Sequence, residues 1–195
     1  MRGLYLTILF VYKTMNKVIF LDRDGVINLD DGYTHYFKSS QVINECIDLI
    51  KFANSKQYKV IIVTNQSGIG RGYYLENTFH QFMSDMVLFL RNKGAVIDDY
   101  FYAPYYKYSK NSIYTQNKNL RKPNVGMLQN AFIKHNLRRE SSILVGDKLS
   151  DIQAGNNFGI NSSILYDNKF KSPKRSFENM WVVNNLKYIV GLPIW

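Results

Sequence analysis

Two aspartates separated by one residue follow a short run of β-branched and aromatic residues near the start of the chain. The run is Lys17–Leu21, and the aspartates are Asp22 and Asp24, with Gly25 directly after them. A carboxylate can attack a phosphorus atom and form an aspartyl-phosphate, and a second carboxylate can pass a proton to the leaving oxygen. This spacing predicts Asp22 as a nucleophile and Asp24 as a general acid and base.

A metal ion is needed beside these aspartates because two carboxylates repel an incoming phosphate. Mg²⁺ is a hard cation that prefers oxygen ligands, with waters and a phosphate oxygen completing its shell. A further acidic segment, Gly146–Asp151, supplies Asp147. We expect Asp22, Asp147 and the backbone carbonyl of Asp24 to bind Mg²⁺.

Two more polar segments carry groups that suit an anion. In the segment Thr64–Gly68 the Thr64 hydroxyl and the Asn65 amide can hydrogen-bond phosphate oxygens. In the segment Arg121–Pro123 the ammonium of Lys122 can neutralise the charge that grows on a transferring phosphoryl group. Each segment alone has a structural explanation, since Asx turns and helix caps use the same residue types. Their combination indicates a phosphoryl-transfer site.

Short apolar runs alternate with helical patterns from Lys17 onward. The predicted strands cover residues 17–21, 58–63, 98–103, 142–145 and 162–165, with a sixth near 182–183. The predicted helices cover residues 41–55, 75–93, 124–136 with Asn124 as its N-cap, and 150–158, with another near Leu186. Repeated strand–helix–strand units form a parallel sheet, and ligands bind beyond the carboxyl ends of its strands. We therefore predict a three-layer α/β sandwich with a mainly parallel sheet.

No predicted loop is long enough to hold a large cap domain over the site. The first strand is followed by residues 28–40, and the third by the tyrosine-rich segment 105–120, which has neither a helical nor a strand period. We expect an open site at which loops supply the selectivity.

The motifs resemble those of the haloacid dehalogenase (HAD) superfamily of phosphatases. Within it, the chain looks like the D-glycero-D-manno-heptose 1,7-bisphosphate 7-phosphatases and the related histidinol-phosphatase domains, through LDRDGVIN, DDGY-TH, VTNQSGIGRG, RKPNVGML and VGDKLSDIQAG. The resemblance covers about residues 17–166. It implies a HAD-like Rossmannoid domain and a Mg²⁺-dependent phosphoric monoester hydrolase acting on a small phosphorylated sugar.

The resemblance also implies a role for each matching residue. Asp22 matches the family nucleophile and Asp24 its proton donor, Thr64 and Lys122 match the pair that stabilises the phosphoryl group, and Asp147 matches a metal ligand. The residues that match substrate-binding positions are Asp30, Asp31, Gly32, Tyr33, Asn65, Gln66, Ser67, Arg121 and Lys148.

Three charged residues near these motifs are expected to orient catalytic groups or to contact anions. Asp151 is expected to orient Lys122 or a metal-bound water rather than to bind the metal directly. Arg71 follows the phosphate loop and faces either an anionic group or solvent. The planar fork of Arg121 suits a second phosphate or several sugar hydroxyls.

One departure from the family pattern lies in the loop of residues 104–120. Many relatives hold a structural zinc there with a Cys-x-His pair and a later Cys-x-Cys pair, whereas this sequence has Ala103–Tyr105 and Lys118–Leu120 at those places. These residues include no normal zinc ligand, so we predict that zinc is absent. The residues expected to hold the loop instead are Tyr102, Tyr105, Tyr106 and Tyr108.

Length and composition limit the class of protein. The chain has 195 residues, of which 46% are hydrophobic and 21% charged, so we expect one globular domain without disordered tracts. Cys46 is the single cysteine, which excludes an internal disulfide. Residues 1–14 contain an apolar run without a small-x-small cleavage site, and we interpret them as an upstream extension before a domain spanning 15–195. We expect a cytoplasmic monomer with no membrane partner.

Two alternative functions stay open on the sequence alone. A histidinol-phosphate phosphatase needs an acidic contact for the substrate amine, which Asp30 and Asp31 offer. A nucleic-acid 3′-phosphate enzyme or binding module suits the net charge of +10, although no contiguous basic block supports it and we expect no nucleic-acid partner. A sugar bisphosphate needs a cationic second site, which Arg121, Lys148 and Arg71 can build. We favour the heptose bisphosphate because of the net charge and the DDGY-TH loop.

Overall fold

The computed structural model describes residues 15–171, 174–177 and 180–195. The extension predicted for residues 1–14 lies outside these residues. The strands are β1 (Asn16–Leu21), β2 (Tyr58–Asn65), β3 (Asp99–Ala103), β4 (Leu137–Gly146), β5 (Ser162–Tyr166), β6 (Lys174–Phe177) and β7 (Met180–Val183). The α-helices are α1 (Asn44–Ser55), α2 (Ser67–Arg71), α3 (Glu76–Asn92), α4 (Gly126–His135) and α5 (Leu149–Phe158). Short 3₁₀ helices cover Ser39–Gln41, Ser112–Thr115, Lys118–Leu120 and Leu186–Gly191.

The strands form one sheet in the order β3-β2-β1-β4-β5-β7-β6. Neighbouring strands are parallel except for β6 and β7, which are antiparallel. The predicted α/β fold with a mainly parallel sheet is confirmed. The order of the strands reverses between β1 and β4, and a crevice therefore opens beyond their carboxyl ends.

The alternation of side chains along β1 explains the three layers. Ile19 and Leu21 point into a core shared with α1 and α3, whereas Val18 and Phe20 point into a second core shared with α4 and α5. Successive side chains of a strand face opposite sides of a sheet, so a strand that is apolar at every position must be covered on both faces. These helices hold the sheet, and through it the carboxyl end of β1, in a fixed position.

The start of α4 differs from the prediction. The helix begins at Gly126 with Val125 as the residue before it, and no side chain caps it. Asn124 does not act as the N-cap, because its side-chain amide donates to the carbonyls of Lys118 and Arg121 at 3.1 and 3.0 Å. Asn124 therefore closes the turn that presents residues 121–123 to the crevice.

Three other elements also differ from the predicted bounds. The helix predicted from residue 41 begins at Asn44, after a 3₁₀ turn. Strand β4 begins at Leu137, well before the predicted residue 142, and its pairing with β1 shifts register. Strand β6 was not predicted, since its polar sequence carries no strand period.

The loops over the crevice are short. In the part of the chain that the structure describes, no separate cap domain lies between β1 and α1 or between β3 and α4. None of the helices formed by these residues is long and apolar enough to cross a membrane.

Candidate active site

A cavity of about 520 Å³ lies beyond the carboxyl ends of β1, β2 and β4. The predicted site residues that line it are Asp22, Asp24, Asp30, Gly32, Tyr33, Thr64, Asn65, Gln66, Ser67, Arg121, Lys122 and Lys148. Asp147 and Asp31 line an adjoining cavity, which Asp30 also borders. The fold therefore brings together segments that are about 40 and 120 residues apart in the chain.

The innermost group of the site is an ion-pair network around Lys122. Its ammonium lies 3.0 Å from Asp22 Oδ1 and 2.6 Å from Asp151 Oδ1, and it donates to the Val63 carbonyl at 2.7 Å. The side chains of all three charged residues are at least nine-tenths buried. The backbone N–H of Arg23 donates to Asp22 Oδ1 at 2.8 Å, which fixes the orientation of that carboxylate.

Burial and charge oppose one another in this network. Burial raises the pKa of the Asp22 carboxyl although Lys122 opposes the rise, and the nearby Asp151 carboxylate adds to it. Burial alone would lower the pKa of Lys122, but Asp22 and Asp151 outweigh it, so the pKa of Lys122 lies above its ordinary value. The ammonium therefore stays charged at the bottom of the cavity.

The residue Asp147 completes a cluster of three carboxylates. One oxygen from each of Asp22, Asp147 and Asp151 lies within 4.8 Å of the others. Burial and the charge of Asp22 raise the pKa of Asp147 to about 7, and its buried Oδ1 has no hydrogen-bond partner among the described residues. A β-carbon on Gly25 would lie 2.3 Å from Asp147 Oδ2, so glycine permits this close approach.

This donor set fits a hard divalent cation such as Mg²⁺, which would give the free Asp147 oxygen a ligand role. Asp151 is already engaged, since its Oδ1 faces Lys122 and its Oδ2 accepts from the backbone N–H of Lys148 at 3.0 Å. That arrangement matches the expectation that Asp151 orients Lys122. Asp22 and Asp147 are therefore the side chains left to hold the ion.

The carboxylate of Asp24 is not a member of the carboxylate cluster and is held by neighbouring donors. It accepts from Arg23 Nε and Nη2 at 3.0 and 2.8 Å, from the Asn28 amide at 3.0 Å and from the Gln66 amide at 3.0 Å. Arg23 is fully buried, and its guanidinium lies 4.3 Å from the centroid of the Phe82 ring. A contribution of Asp24 to a metal ion is therefore confined to its backbone carbonyl.

Sequence reasoning missed two of the three residues that hold Asp24. Arg23 and Asn28 belong to the same strand–turn segment as the aspartates, and both are buried. An arginine between two acidic residues and an asparagine four positions after Asp24 were the available signals. Neither feature of the sequence distinguishes a residue that positions Asp24 from an ordinary turn residue.

The end of β2 is held by side-chain amides. Gln66 donates to Thr64 Oγ1 at 2.8 Å and accepts from the Tyr74 hydroxyl at 2.7 Å. The Asn65 side chain accepts from the backbone N–H of Lys122 at 3.0 Å and donates to the carbonyl of the same residue at 3.1 Å. Asn65 and Gln66 therefore position Lys122, Thr64 and Asp24 relative to one another.

The outer wall of the cavity carries the predicted substrate residues. Lys148 pairs with Asp30 at 2.9 Å, and Gln41 donates to Asp31. Tyr33 adopts a left-handed backbone conformation (φ 50°) that turns the loop over the cavity. Arg121 Nη1 is buried without a hydrogen-bond partner among the described residues, and burial lowers the pKa of this guanidinium.

The loop between β3 and α4 is held by hydrogen bonds to one carboxylate. Glu76 accepts from the Tyr102 hydroxyl at 2.6 Å and from the Tyr114 hydroxyl at 3.0 Å. The backbone N–H of Tyr106 donates to the Tyr114 carbonyl at 2.9 Å. Tyr102 was predicted to hold the loop, but Tyr114 and Glu76 were not. We refer to these three side chains, Glu76, Tyr102 and Tyr114, as the Glu76 brace.

Comparisons with known proteins agree with this geometry. A HAD-hydrolase-like family model matches residues 119–188. The D-glycero-beta-D-manno-heptose-1,7-bisphosphate 7-phosphatase of Pasteurella multocida is 38% identical over 151 residues, which are 77% of this chain and 82% of the relative. The corresponding alpha-named phosphatase of Burkholderia mallei is 40% identical over 150 residues, 77% of this chain and 79% of the relative.

A solved structure extends the likeness to three dimensions. The D,D-heptose 1,7-bisphosphate phosphatase of B. bronchiseptica, complexed with magnesium and phosphate, aligns with a TM-score of 0.74 at 25% identity and covers 90% of this chain and 96% of its own. The sequence identity, the coverage and the fold thus all indicate the same family. The chain belongs to the D-glycero-D-manno-heptose 1,7-bisphosphate 7-phosphatase family of the HAD superfamily.

Proposed function

We propose that the protein is a Mg²⁺-dependent phosphatase that removes the 7-phosphate of D-glycero-D-manno-heptose 1,7-bisphosphate in the biosynthesis of nucleotide-activated heptose. The observation that carries this proposal is the buried Lys122 between Asp22 and Asp151, beside an Asp147 oxygen without a partner. The named relatives supply the substrate class.

The reaction runs in two displacements at phosphorus. A carboxylate oxygen of Asp22 bonds to the phosphorus of the 7-phosphate, while the bond from phosphorus to the sugar oxygen breaks and Asp24 delivers a proton to that oxygen. Asp24 then takes a proton from water, and the water oxygen displaces the Asp22 carboxylate from phosphorus. Inorganic phosphate leaves and both aspartates return to their starting state.

The surrounding residues stabilise the charge of the transferring group. Lys122 places its ammonium 3.0 Å from Oδ1 of the attacking Asp22 carboxylate, where it can neutralise negative charge that develops during the displacement. The Thr64 hydroxyl and the backbone N–H of Asn65 are assigned to the phosphoryl oxygens, since the Asn65 side-chain amide is bonded to the Lys122 backbone. Mg²⁺, held by Asp22, Asp147 and the Asp24 carbonyl, would supply further neutralisation and orient the phosphate.

The outer wall favours a bisphosphate over histidinol phosphate. An amine would have to displace existing partners to reach the acidic residues, since Asp30 pairs with Lys148 and Asp31 accepts from Gln41. The Arg121 guanidinium, by contrast, has a free buried nitrogen that suits a second phosphate. The remaining assigned substrate contacts are Gly32, Tyr33 and Ser67, whereas the buried Gln66 side chain is bonded to Asp24, Thr64 and Tyr74 and positions these groups.

A panel of substrates tests this proposal. Phosphate release would be measured with Mg²⁺ and with EDTA for both anomers of the heptose bisphosphate, for histidinol phosphate and for a 3′-phosphorylated oligonucleotide. We expect Mg²⁺-dependent turnover and a kcat/KM for one heptose anomer that exceeds the others by about 100-fold, equivalent to roughly 2.7 kcal/mol. A preference for histidinol phosphate or the oligonucleotide would overturn it.

We also propose that the enzyme acts as a cytoplasmic monomer without a nucleic-acid partner. The single cysteine, Cys46, is buried among apolar side chains, so no disulfide is required for the fold. Size-exclusion chromatography with light scattering tests the oligomeric state, and a mass of two chains at micromolar concentration would contradict it.

A further inference from the structure

The hydroxyl of Tyr74 is hydrogen-bonded to an amide that also contacts Asp24. Tyr74 lies in the short segment between α2 and α3, and its hydroxyl donates to Gln66 Oε1 at 2.7 Å. The Gln66 Nε2 group donates to Asp24 Oδ2 at 3.0 Å and to Thr64 Oγ1 at 2.8 Å. In the part of the chain that the structure describes, Tyr74 is the only hydrogen-bond partner of the Gln66 side-chain oxygen.

The orientation of the Gln66 amide follows from its neighbours. An ionised carboxylate only accepts hydrogen bonds, so the amide nitrogen must face Asp24 and the amide oxygen must face Tyr74. Burial raises the pKa of Tyr74 to about 12, so its hydroxyl keeps the proton that it donates to this oxygen. Gln66 and Tyr74 are both buried, and an amide oxygen without this donor would lose its partner without gaining water.

Two contacts hold the Tyr74 ring in turn. The His35 ring stacks on it, with centroids 4.9 Å apart and ring planes inclined by 7°. A β-carbon on Gly68 would lie 2.3 Å from Tyr74 Cε1 and 2.8 Å from its hydroxyl oxygen, so glycine allows the ring to approach the backbone of α2. The hydroxyl therefore has little freedom to move away from Gln66.

A general acid must present its carboxyl group to the leaving oxygen, and its side-chain partners determine that direction. Three side chains hold the Asp24 carboxylate, those of Arg23, Asn28 and Gln66. We propose that Tyr74 is a positioning residue that acts through the Gln66 amide to hold Asp24 for proton transfer to the leaving sugar oxygen. This inference rests on the proposed function for the role of Asp24. The Tyr74 hydroxyl itself transfers no proton to the substrate.

Two substrates with different leaving groups distinguish this role from a merely structural one. A sugar oxygen must be protonated as it leaves, whereas p-nitrophenolate needs little help from an acid. We expect Tyr74→Phe to lower kcat/KM for heptose 1,7-bisphosphate about 10-fold and to leave that for p-nitrophenyl phosphate within about 2-fold, since general acid catalysis contributes roughly 10²-fold to 10⁴-fold in total. An equal or larger fall for p-nitrophenyl phosphate, or no fall for the bisphosphate, would overturn the proposal.

Tyr114→Phe is the matched control. It removes a hydroxyl that donates to Glu76 at 3.0 Å, and Tyr114 does not line the cavity that holds Asp24. This variant should leave the ratio of the two kcat/KM values unchanged. The proposal is wrong if Tyr114→Phe lowers the ratio of bisphosphate to p-nitrophenyl phosphate as much as Tyr74→Phe does.

A double variant tests whether the effect passes through Gln66. Gln66→Leu removes the amide and should lower the same ratio at least as much as Tyr74→Phe does. Addition of Tyr74→Phe to Gln66→Leu should then lower the ratio no further, because residues that act through one another are not additive. A further loss in the double variant equal to that of Tyr74→Phe alone would show that Tyr74 acts by another route and would overturn the proposal.

The failure of this inference can be told apart from failure of the proposed function. Absence of heptose bisphosphate hydrolysis by the wild type would overturn the proposed function. Glucose 6-phosphate, which also leaves as a sugar alkoxide, would then replace the bisphosphate in the comparison with p-nitrophenyl phosphate, and the same two results would support or overturn the role of Tyr74.

Discussion

The inner end of the cavity and the loop above it are held together by different interactions. At the inner end, the charges of Asp22, Lys122 and Asp151 meet in a buried network in which every group needs its partners. In the loop, the Glu76 brace uses tyrosine hydroxyls that are half-buried. Loss of one partner is therefore costly at the inner end and mild in the loop, which can change without disturbing the chemistry.

Removal of the nucleophile is the largest expected effect on the inner end. Asp22→Asn should lower kcat for every phosphomonoester by roughly 10⁴-fold or more, because the covalent intermediate cannot form. The fold should persist, since Lys122 keeps its partner Asp151. Phosphate release and a thermal melt check both statements, and near-normal turnover would contradict the mechanism.

Removal of the Lys122 ammonium tests whether the stability of the inner end requires every buried charge to keep its partner. Lys122→Met leaves two buried carboxylates facing each other, and we expect a loss of about 3–5 kcal/mol in the free energy of unfolding. Denaturant unfolding in EDTA measures it.

Lys134→Met is the control for that loss. Lys134 pairs with Asp99 at 2.7 Å, but its side chain is 61% exposed, so removing it should cost about 1 kcal/mol or less. If both variants lose the same free energy of unfolding, the buried network contributes no more to stability than an exposed ion pair.

The titration of Asp147 makes both the stability of the inner end and its binding of Mg²⁺ depend on pH. Burial raises the pKa of Asp147 to about 7 from an ordinary value of 3.8, so the metal-free folded state holds this proton over a pH range where the unfolded chain has lost it. The free energy of unfolding of the metal-free protein should therefore fall as pH rises across that range. Mg²⁺ binds the ionised carboxylate and should raise the melting temperature more at about pH 8 than at about pH 5.

Asp147→Asn supplies the matched control for this pH effect. The variant has no titrating group at this position, so both the fall in stability and the extra stabilisation by Mg²⁺ above neutral pH should shrink. Melting curves with EDTA and with Mg²⁺ at both pH values provide the measurement. An unchanged profile would show that another group controls the metal site.

The Glu76 brace carries a smaller prediction. Glu76→Ala removes the acceptor for the Tyr102 and Tyr114 hydroxyls and should cost about 1–3 kcal/mol. Asp85→Ala, on the same helix, removes an acceptor for the exposed Gln81 side chain and should cost about 0.5 kcal/mol or less. If both variants unfold at the same denaturant concentration, the brace does not hold the loop.

The smallest expected effect concerns zinc. The positions Ala103, Tyr105, Lys118 and Leu120 carry no normal zinc ligand, so a zinc-selective chelator should leave the melting temperature unchanged. Elemental analysis of the purified protein should find less than one zinc per chain. Stoichiometric zinc would contradict the interpretation of this loop.

The inner end was largely predictable from the sequence, and the reason is physical. Asp22 and Asp147 directly follow strands with an apolar pattern, and Thr64 lies at the carboxyl end of another. The carboxyl ends of parallel strands must meet at one end of a sheet. Polar residues at those positions therefore lie close together regardless of the conformation of the loops. The expectation that Asp151 orients Lys122 or a metal-bound water came from the family resemblance, and the 2.6 Å ion pair with Lys122 agrees with the first of these two roles.

The remaining contacts depend on packing that no local pattern encodes. The Arg23 guanidinium that holds Asp24 packs against Phe82 of α3, and Glu76 meets Tyr114 across 38 residues. The Asn124 cap was wrong because its amide found acceptors in the preceding turn. Local propensity suggested a cap, but the tertiary fold offered a better partner.

The most direct test of the chemistry at the inner end is detection of the covalent intermediate. With p-nitrophenyl phosphate, whose leaving group needs little help from an acid, Asp24→Asn should still phosphorylate Asp22 but release phosphate slowly. We predict a burst of about one p-nitrophenolate per active site and, by mass spectrometry, one phosphoryl group on Asp22. The absence of a burst together with an unmodified Asp22, or a phosphoryl group on another residue, would contradict the account.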